Sequence, residues 1–123
     1  GYLTSPNIGV QGSRGAAAIP LLATLIAWGR DGLVERIDRT MSMAAKLAEN
    51  LNNNKGIALW AMPITGVTVF RPLTCRTEEL HKRLAEGMFS SCLLDGETWL
   101  RSVAANPLAD IDEIISKIND EIN

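Results

Sequence analysis

The run from Gly15 to Trp28 constrains this chain more than any other segment. Nearly every side chain from Ala16 to Trp28 is apolar, so a helix formed there is apolar all round and has to be covered on every side. The chain has 123 residues, 46% of them hydrophobic, enough for one domain with a modest core. A core of that size has little room to surround such a helix. Two readings stand. Either its outer face packs against another domain or subunit, or it is the central helix of an ordinary small domain. Pro20 kinks this helix or starts it at the first-turn position. The stretch is too short to span a bilayer and does not begin with a basic segment, so neither a membrane span nor a secretory signal is expected.

The formal net charge is -2 and nothing concentrates Lys or Arg, which speaks against a nucleic-acid surface. Cys75 and Cys92 lie far apart, with no C-x-x-C or metal-type spacing. They read as free thiols in a reducing, cytoplasmic compartment, with a disulfide between them left open. No metal site is expected. The segment 1–15 is rich in Gly, Ser, Pro and Asn and reads as a lead-in loop that belongs to something larger. A chain beginning at Gly1 and not Met suggests a fragment, a processed product or a tag remnant. The expected division is therefore a lead-in over 1–15 and a small domain over 16–123.

Within 16–123 the patterns alternate between helix and strand. Gly29-Arg30-Asp31-Gly32 predicts the end of one helix and the start of another, with Gly29 as C-cap and Asp31 as N-cap. The second helix runs to about Leu51 on a stripe of Leu33, Val34, Ile37, Met41, Ala44, Ala45, Ala48 and Leu51. Ile57–Met62 and Gly66–Arg71 read as strands. Thr77 predicts an N-cap for a short helix through Glu86, with Leu80, Leu84 and Met88 inward. Asp95-Gly96, between Ser90–Leu94 and Glu97–Val103, predicts a tight hairpin. The last helix starts near Asp110, with Glu113 as capping-box partner and Leu108, Ile111, Ile115, Ile118 and Ile122 as its buried stripe. The expected class is α+β, an antiparallel sheet with helices packed on one face.

Three places could carry chemistry. Gly12-Ser13-Arg14-Gly15 feeds a helix start, where backbone N–H groups and the helix dipole suit an anion; the alternative is an ordinary loop. Arg101 lies in an apolar strand. If buried it needs an anion, and a carboxylate matches its guanidinium fork; otherwise it reaches solvent from an edge strand or joins a structural ion pair. Arg71, at a strand end before Pro72, fits the structural reading better. His81, among Glu79, Lys82 and Arg83, reads as a solvated surface residue. Trp28, Trp60 and Trp99 read as core or interface residues.

The order of these segments resembles a known family. Gly1-Tyr2-Leu3-Thr4-Ser5-Pro6-Asn7 through Gly12-Ser13-Arg14-Gly15 is similar to the segment that follows the cofactor lysine in group II pyridoxal-phosphate-dependent amino-acid decarboxylases and in the related sphingosine-phosphate lyases. The apolar helix and Gly29-Arg30-Asp31-Gly32-Leu33 match the next stretch. Leu100-Arg101-Ser102-Val103-Ala104-Ala105-Asn106-Pro107 resembles the final strand of glutamate-decarboxylase-like enzymes, and Asp110-Ile111-Asp112-Glu113-Ile114 their last helix. The resemblance implies the C-terminal small domain of a fold-type I enzyme, preceded by a large domain, assembled as a homodimer and acting on an amino-acid substrate. It implies that Gly12 and Ser13 approach the phosphate of pyridoxal 5'-phosphate and that Arg101 binds the substrate α-carboxylate. That role for Arg101 favours the decarboxylase branch over the carbon–carbon lyase branch, whose substrate has no equivalent carboxylate. The sequence departs from the pattern in one respect. The family's His-Lys pair is absent, since His81-Lys82 lies on a polar helix where the family has no catalytic lysine. The chain alone is therefore expected to be inactive, and a non-catalytic dimerisation module derived from such an enzyme remains the rival reading.

Overall fold

The computed structural model describes residues 18–84 and 86–122. They belong to two compact units, one ending at Glu35 and the other running from Arg36 to Asn123. The lead-in with Gly12 and Ser13 lies outside the described residues.

Helix α1 spans Ala18–Asn53 and leaves helical geometry only at Gly29, where φ is 64° and ψ is -175°. The expected break is present at Gly29, where two helical stretches meet. That backbone conformation is essentially open to glycine alone, so a single residue makes the kink. Asp31, expected as the N-cap, has helical backbone geometry, so the second stretch begins directly after Gly29. In the first unit the apolar run is largely uncovered: Ile19, Leu21, Leu22 and Ile26 are all more than half exposed, Ile26 by 73%. The buried face of α1 begins at Met43 and continues through Ala44, Leu47, Ala48 and Leu51. Val34, Ile37 and Met41, expected on that stripe, are exposed.

The second unit holds a four-stranded antiparallel sheet in the order β1-β2-β4-β3. Strand β1 is Ile57–Leu59, β2 Val67–Pro72, β3 Ser90–Leu94 and β4 Glu97–Val103. Strand β1 is shorter than the expected Ile57–Met62. Trp60 still donates its N–H to the Val69 carbonyl at 2.9 Å, but Pro63, which has no N–H, cannot extend the ladder. The β3–β4 hairpin turns through Asp95 (φ 50°) and Gly96 (φ 79°). Positive φ at both central residues is the requirement of a type I′ turn.

Helix α2 (Thr77–Arg83) is preceded by Arg76 at the cap, with no side-chain cap bond. Thr77 is not the N-cap, because its side chain is buried. The helix stops three residues short of the expected Glu86. Helix α3 (Ile111–Ile122) is capped by Asp110, whose Oδ1 accepts the N–H groups of Asp112 and Glu113 at 3.0 and 3.1 Å. Glu113 binds Lys117 at 2.6 Å and does not return the cap. Leu108 precedes this helix and is 83% exposed, so it drops out of the buried stripe.

Side chains alternate between the two faces of each strand. Thr68, Phe70 and Pro72 of β2 point one way and are buried, while Val67, Val69 and Arg71 point the other. Phe70 and its cross-strand neighbour Leu100 meet Leu47 and Leu51 of α1, Leu80 of α2, and Ile115, Ile118 and Ile122 of α3 in one cluster. Phe89 closes it edge-on against Phe70, with centroids 5.4 Å apart. Thr68, 1% exposed, donates its hydroxyl to the Ala44 carbonyl at 3.3 Å, tying β2 to α1. The second unit is thus α+β, with its helices gathered on one face of the sheet. The other face carries no helix of this unit among the described residues.

Candidate functional site

The face of the sheet turned away from the helices carries the functional candidates. Cross-strand register aligns Val69, Arg101 and Ser90 in one row. Trp60 joins that row through its bond to Val69. The next row holds Ala58, Arg71, Trp99 and Cys92. Two arginines therefore stand on adjacent rows of one face, in very different settings.

Arg71 is committed to the fold. Its Nη2 pairs with Glu97 Oε2 at 3.2 Å, and its guanidinium carbon lies 5.1 Å from the centre of the Trp99 ring. Trp60 meets Trp99 edge-on at 5.2 Å with planes 88° apart. Together Trp60 and Arg71 cover Trp99, which is 6% exposed although it lies on the open face. The structural ion-pair reading of Arg71 holds, and the core reading of Trp99 holds with it. Arg71 Nε and Trp99 Nε1 are buried without a hydrogen-bond partner.

Arg101 is exposed and sits on β4, an interior strand of the sheet. The edge-strand alternative is thereby corrected: Arg101 reaches the surface because its row faces away from the helices. Its Nε–H donates to Ser90 Oγ at 3.1 Å, and the Ser90 hydroxyl reaches toward the Arg101 carbonyl at 3.5 Å. Its Nη atoms take part in no ion pair or hydrogen bond among the described residues. An unpaired guanidinium edge is a ready site for a carboxylate, since its planar fork matches two oxygens at once.

Ser90 is the residue that sequence reading overlooked, and its signal was present. A two-residue turn at Asp95-Gly96 pairs residues symmetrically outward, which sets Ser90 opposite Arg101.

The other candidates are placed elsewhere. His81 is half-buried on α2, with Nε2 3.1 Å from the Phe89 carbonyl oxygen. It is therefore a structural tie between α2 and the segment entering β3, not a solvated side chain. All four lysines, Lys46, Lys55, Lys82 and Lys117, are exposed. Lys46 pairs with Asp112 at 2.7 Å and Lys117 with Glu113. Cys75 and Cys92 are both free. No cluster of metal-type ligands occurs among the described residues, and no helix among them is long and apolar enough to cross a membrane.

No protein-family model matches the sequence, and no curated protein matches it. Solved structures do match the fold. The glutamate decarboxylase domain of diaminobutyrate-pyruvate transaminase and L-2,4-diaminobutyrate decarboxylase from Vibrio parahaemolyticus superposes with a TM-score of 0.67 at 24% identity, over 85% of this chain and 25% of that one. Mouse CSAD gives 0.75 at 20%, over 95% and 30%. Oryza sativa TDC, solved with PLP and tryptamine, gives 0.74 at 14%, over 92% and 28%. The chain thus spans less than a third of the length of each structure. Its α+β fold is the fold of the C-terminal region of pyridoxal-phosphate-dependent decarboxylases.

Proposed function

We propose that this chain is the C-terminal part of a pyridoxal-phosphate-dependent L-amino-acid decarboxylase and that Arg101 binds the α-carboxylate of the substrate. The observation that carries this reading is the unpaired Nη edge of Arg101 on the uncovered face of the sheet. A carboxylate bound there is held by charge-assisted, paired hydrogen bonds, stronger than neutral ones. The similarity to decarboxylase structures supplies the reaction class. Arg71 cannot take the same role, because Glu97 and Trp99 already occupy it.

When bound, the cofactor takes up the electron pair left behind as CO2 departs. In this reading the described residues supply the anion clamp and not the covalent anchor. Gly12 and Ser13 are the residues proposed to meet the cofactor phosphate. The lysine and the rest of the cofactor pocket belong in this reading to a preceding large domain. The solvent-exposed apolar side chains of residues 19–28 support a partner of that kind, either that domain or the second subunit of a homodimer. Two free thiols support a reducing, cytoplasmic setting.

Arg101 holds the very group that leaves, so its attraction acts on substrate as well as transition state. Losing it should raise KM more than it lowers kcat. In the full-length polypeptide with pyridoxal phosphate, Arg101→Ala should reduce kcat/KM roughly tenfold to a hundredfold, the worth of one hydrogen-bonded charge. The assay is CO2 release from a panel of L-amino acids. Wild-type kinetics in the variant, or an aldehyde product with no CO2 from the unaltered enzyme, would overturn the reading.

A further inference from the structure

We infer that Ser90 is a positioning residue for Arg101, which fixes how a substrate carboxylate is engaged. The inference rests on the carboxylate-binding reading of Arg101 and adds the residue that aims it. A guanidinium offers two forked edges to an anion: the end-on edge between Nη1 and Nη2, and the side-on edge that includes Nε. The Ser90 hydroxyl oxygen takes the Nε–H at 3.1 Å. The same oxygen lies 3.5 Å from the Arg101 carbonyl, an acceptor toward which its own hydrogen can turn, leaving a lone pair to the arginine. The side-on edge is thereby occupied, and the end-on edge is the one left for a carboxylate.

The geometry has a second consequence. An exposed arginine loses much rotamer freedom when it grips a ligand. Here one end of the guanidinium is held before any ligand arrives, by a side chain whose place is set by the register of the β3–β4 hairpin. Part of the ordering cost is then met in the fold, and affinity rises through preorganisation. Ser90 is half-buried and Arg101 is exposed, so the pair is reachable from outside and its partner groups do not depend on the hydrophobic core.

The experiment uses the full-length polypeptide with pyridoxal phosphate and the L-amino acid that releases CO2 fastest in the panel above. Ser90→Ala should raise KM roughly threefold to tenfold, the factor corresponding to one net hydrogen bond, with kcat little changed. Ser90→Thr, which keeps a hydroxyl and suits a strand, should restore most of the affinity. Inhibition by the corresponding amine product, which has no carboxylate, should be the same in wild type and Ser90→Ala. A structural defect would weaken amine and substrate alike, and that result would overturn the inference. In an Arg101→Ala background, Ser90→Ala should add nothing. If Arg101→Ala raises KM while Ser90→Ala leaves it unchanged, the positioning role is wrong and the carboxylate reading stands. If Arg101→Ala has no effect, or no amino acid releases CO2, the carboxylate reading fails and Ser90 loses its role with it.

Discussion

Replacing Thr68 by valine and by serine separates two contributions that meet at one buried side chain. Thr68 is 1% exposed and donates to the Ala44 carbonyl at 3.3 Å. Ala44 lies inside α1, so its carbonyl keeps a helical N–H partner when the hydroxyl is removed. The bond is long, which places it near the lower end of the net value for such bonds, about 0.5 kcal/mol. Valine exchanges that bond for one more buried methyl, about 0.8 kcal/mol in favour of folding. A recess of about 230 Å³ lined by Thr68, Ala44 and Leu47 leaves space for it. Thr68→Val should therefore change stability by less than about 1 kcal/mol, in either direction. Serine keeps the hydroxyl and deletes the methyl, so it should cost about 1 kcal/mol, in the range of other single-methyl deletions. Urea denaturation followed by tryptophan fluorescence measures both midpoints, and an unchanged slope confirms that stability alone has moved. If valine proves clearly worse than serine, the hydroxyl contributes more to stability than the methyl, and this reasoning is wrong.

At the hairpin, Gly96 has a φ of 79°. Gly96→Ala should cost about 1–2 kcal/mol from backbone strain alone, because a Cβ there meets nothing within 4 Å; a neutral substitution in the same denaturation assay would refute the turn assignment. Glu78, in the first turn of α2, has its carboxyl held below the ordinary 4.5 by its own backbone N–H, then by the Thr98 side chain, with Arg76 and Lys82 adding smaller attractions. A depressed carboxylate stabilises the fold above its unfolded value, and this contribution disappears as pH falls through the folded value. Glu78→Gln should therefore flatten the loss of stability below about pH 4.5 while leaving the slope near neutrality unchanged. A series of denaturation midpoints across acid pH checks it, and an unaltered acid slope would rule out this contribution.

The sequence by itself determined the elements whose cause is local. Asp95-Gly96 requires positive φ at neighbouring residues and so dictates the hairpin and its register, Ser90 opposite Arg101 included. Asp110 caps α3 because its short carboxylate reaches two orphan N–H groups. The stripe of Ile115, Ile118 and Ile122 follows from helical spacing. The resemblance to the decarboxylases likewise rests on local runs, the one around Arg101 among them. Other features depend on residues distant in the chain and needed the tertiary structure. The break signalled by Gly29-Arg30-Asp31-Gly32 is present, but only the structure narrows it to Gly29, with Asp31 already helical. Thr77 has the chemistry of a cap, but burial turns its side chain inward. His81 has polar neighbours in sequence, and only packing brings it to the Phe89 carbonyl. The contrast between the two strand arginines is of the same kind. Pro72 already set Arg71 apart in the sequence, but only the structure shows Glu97 and Trp99 from another strand neutralising and stacking it. Arg101 keeps its outer edge free because the strand order places it on the uncovered face of the sheet.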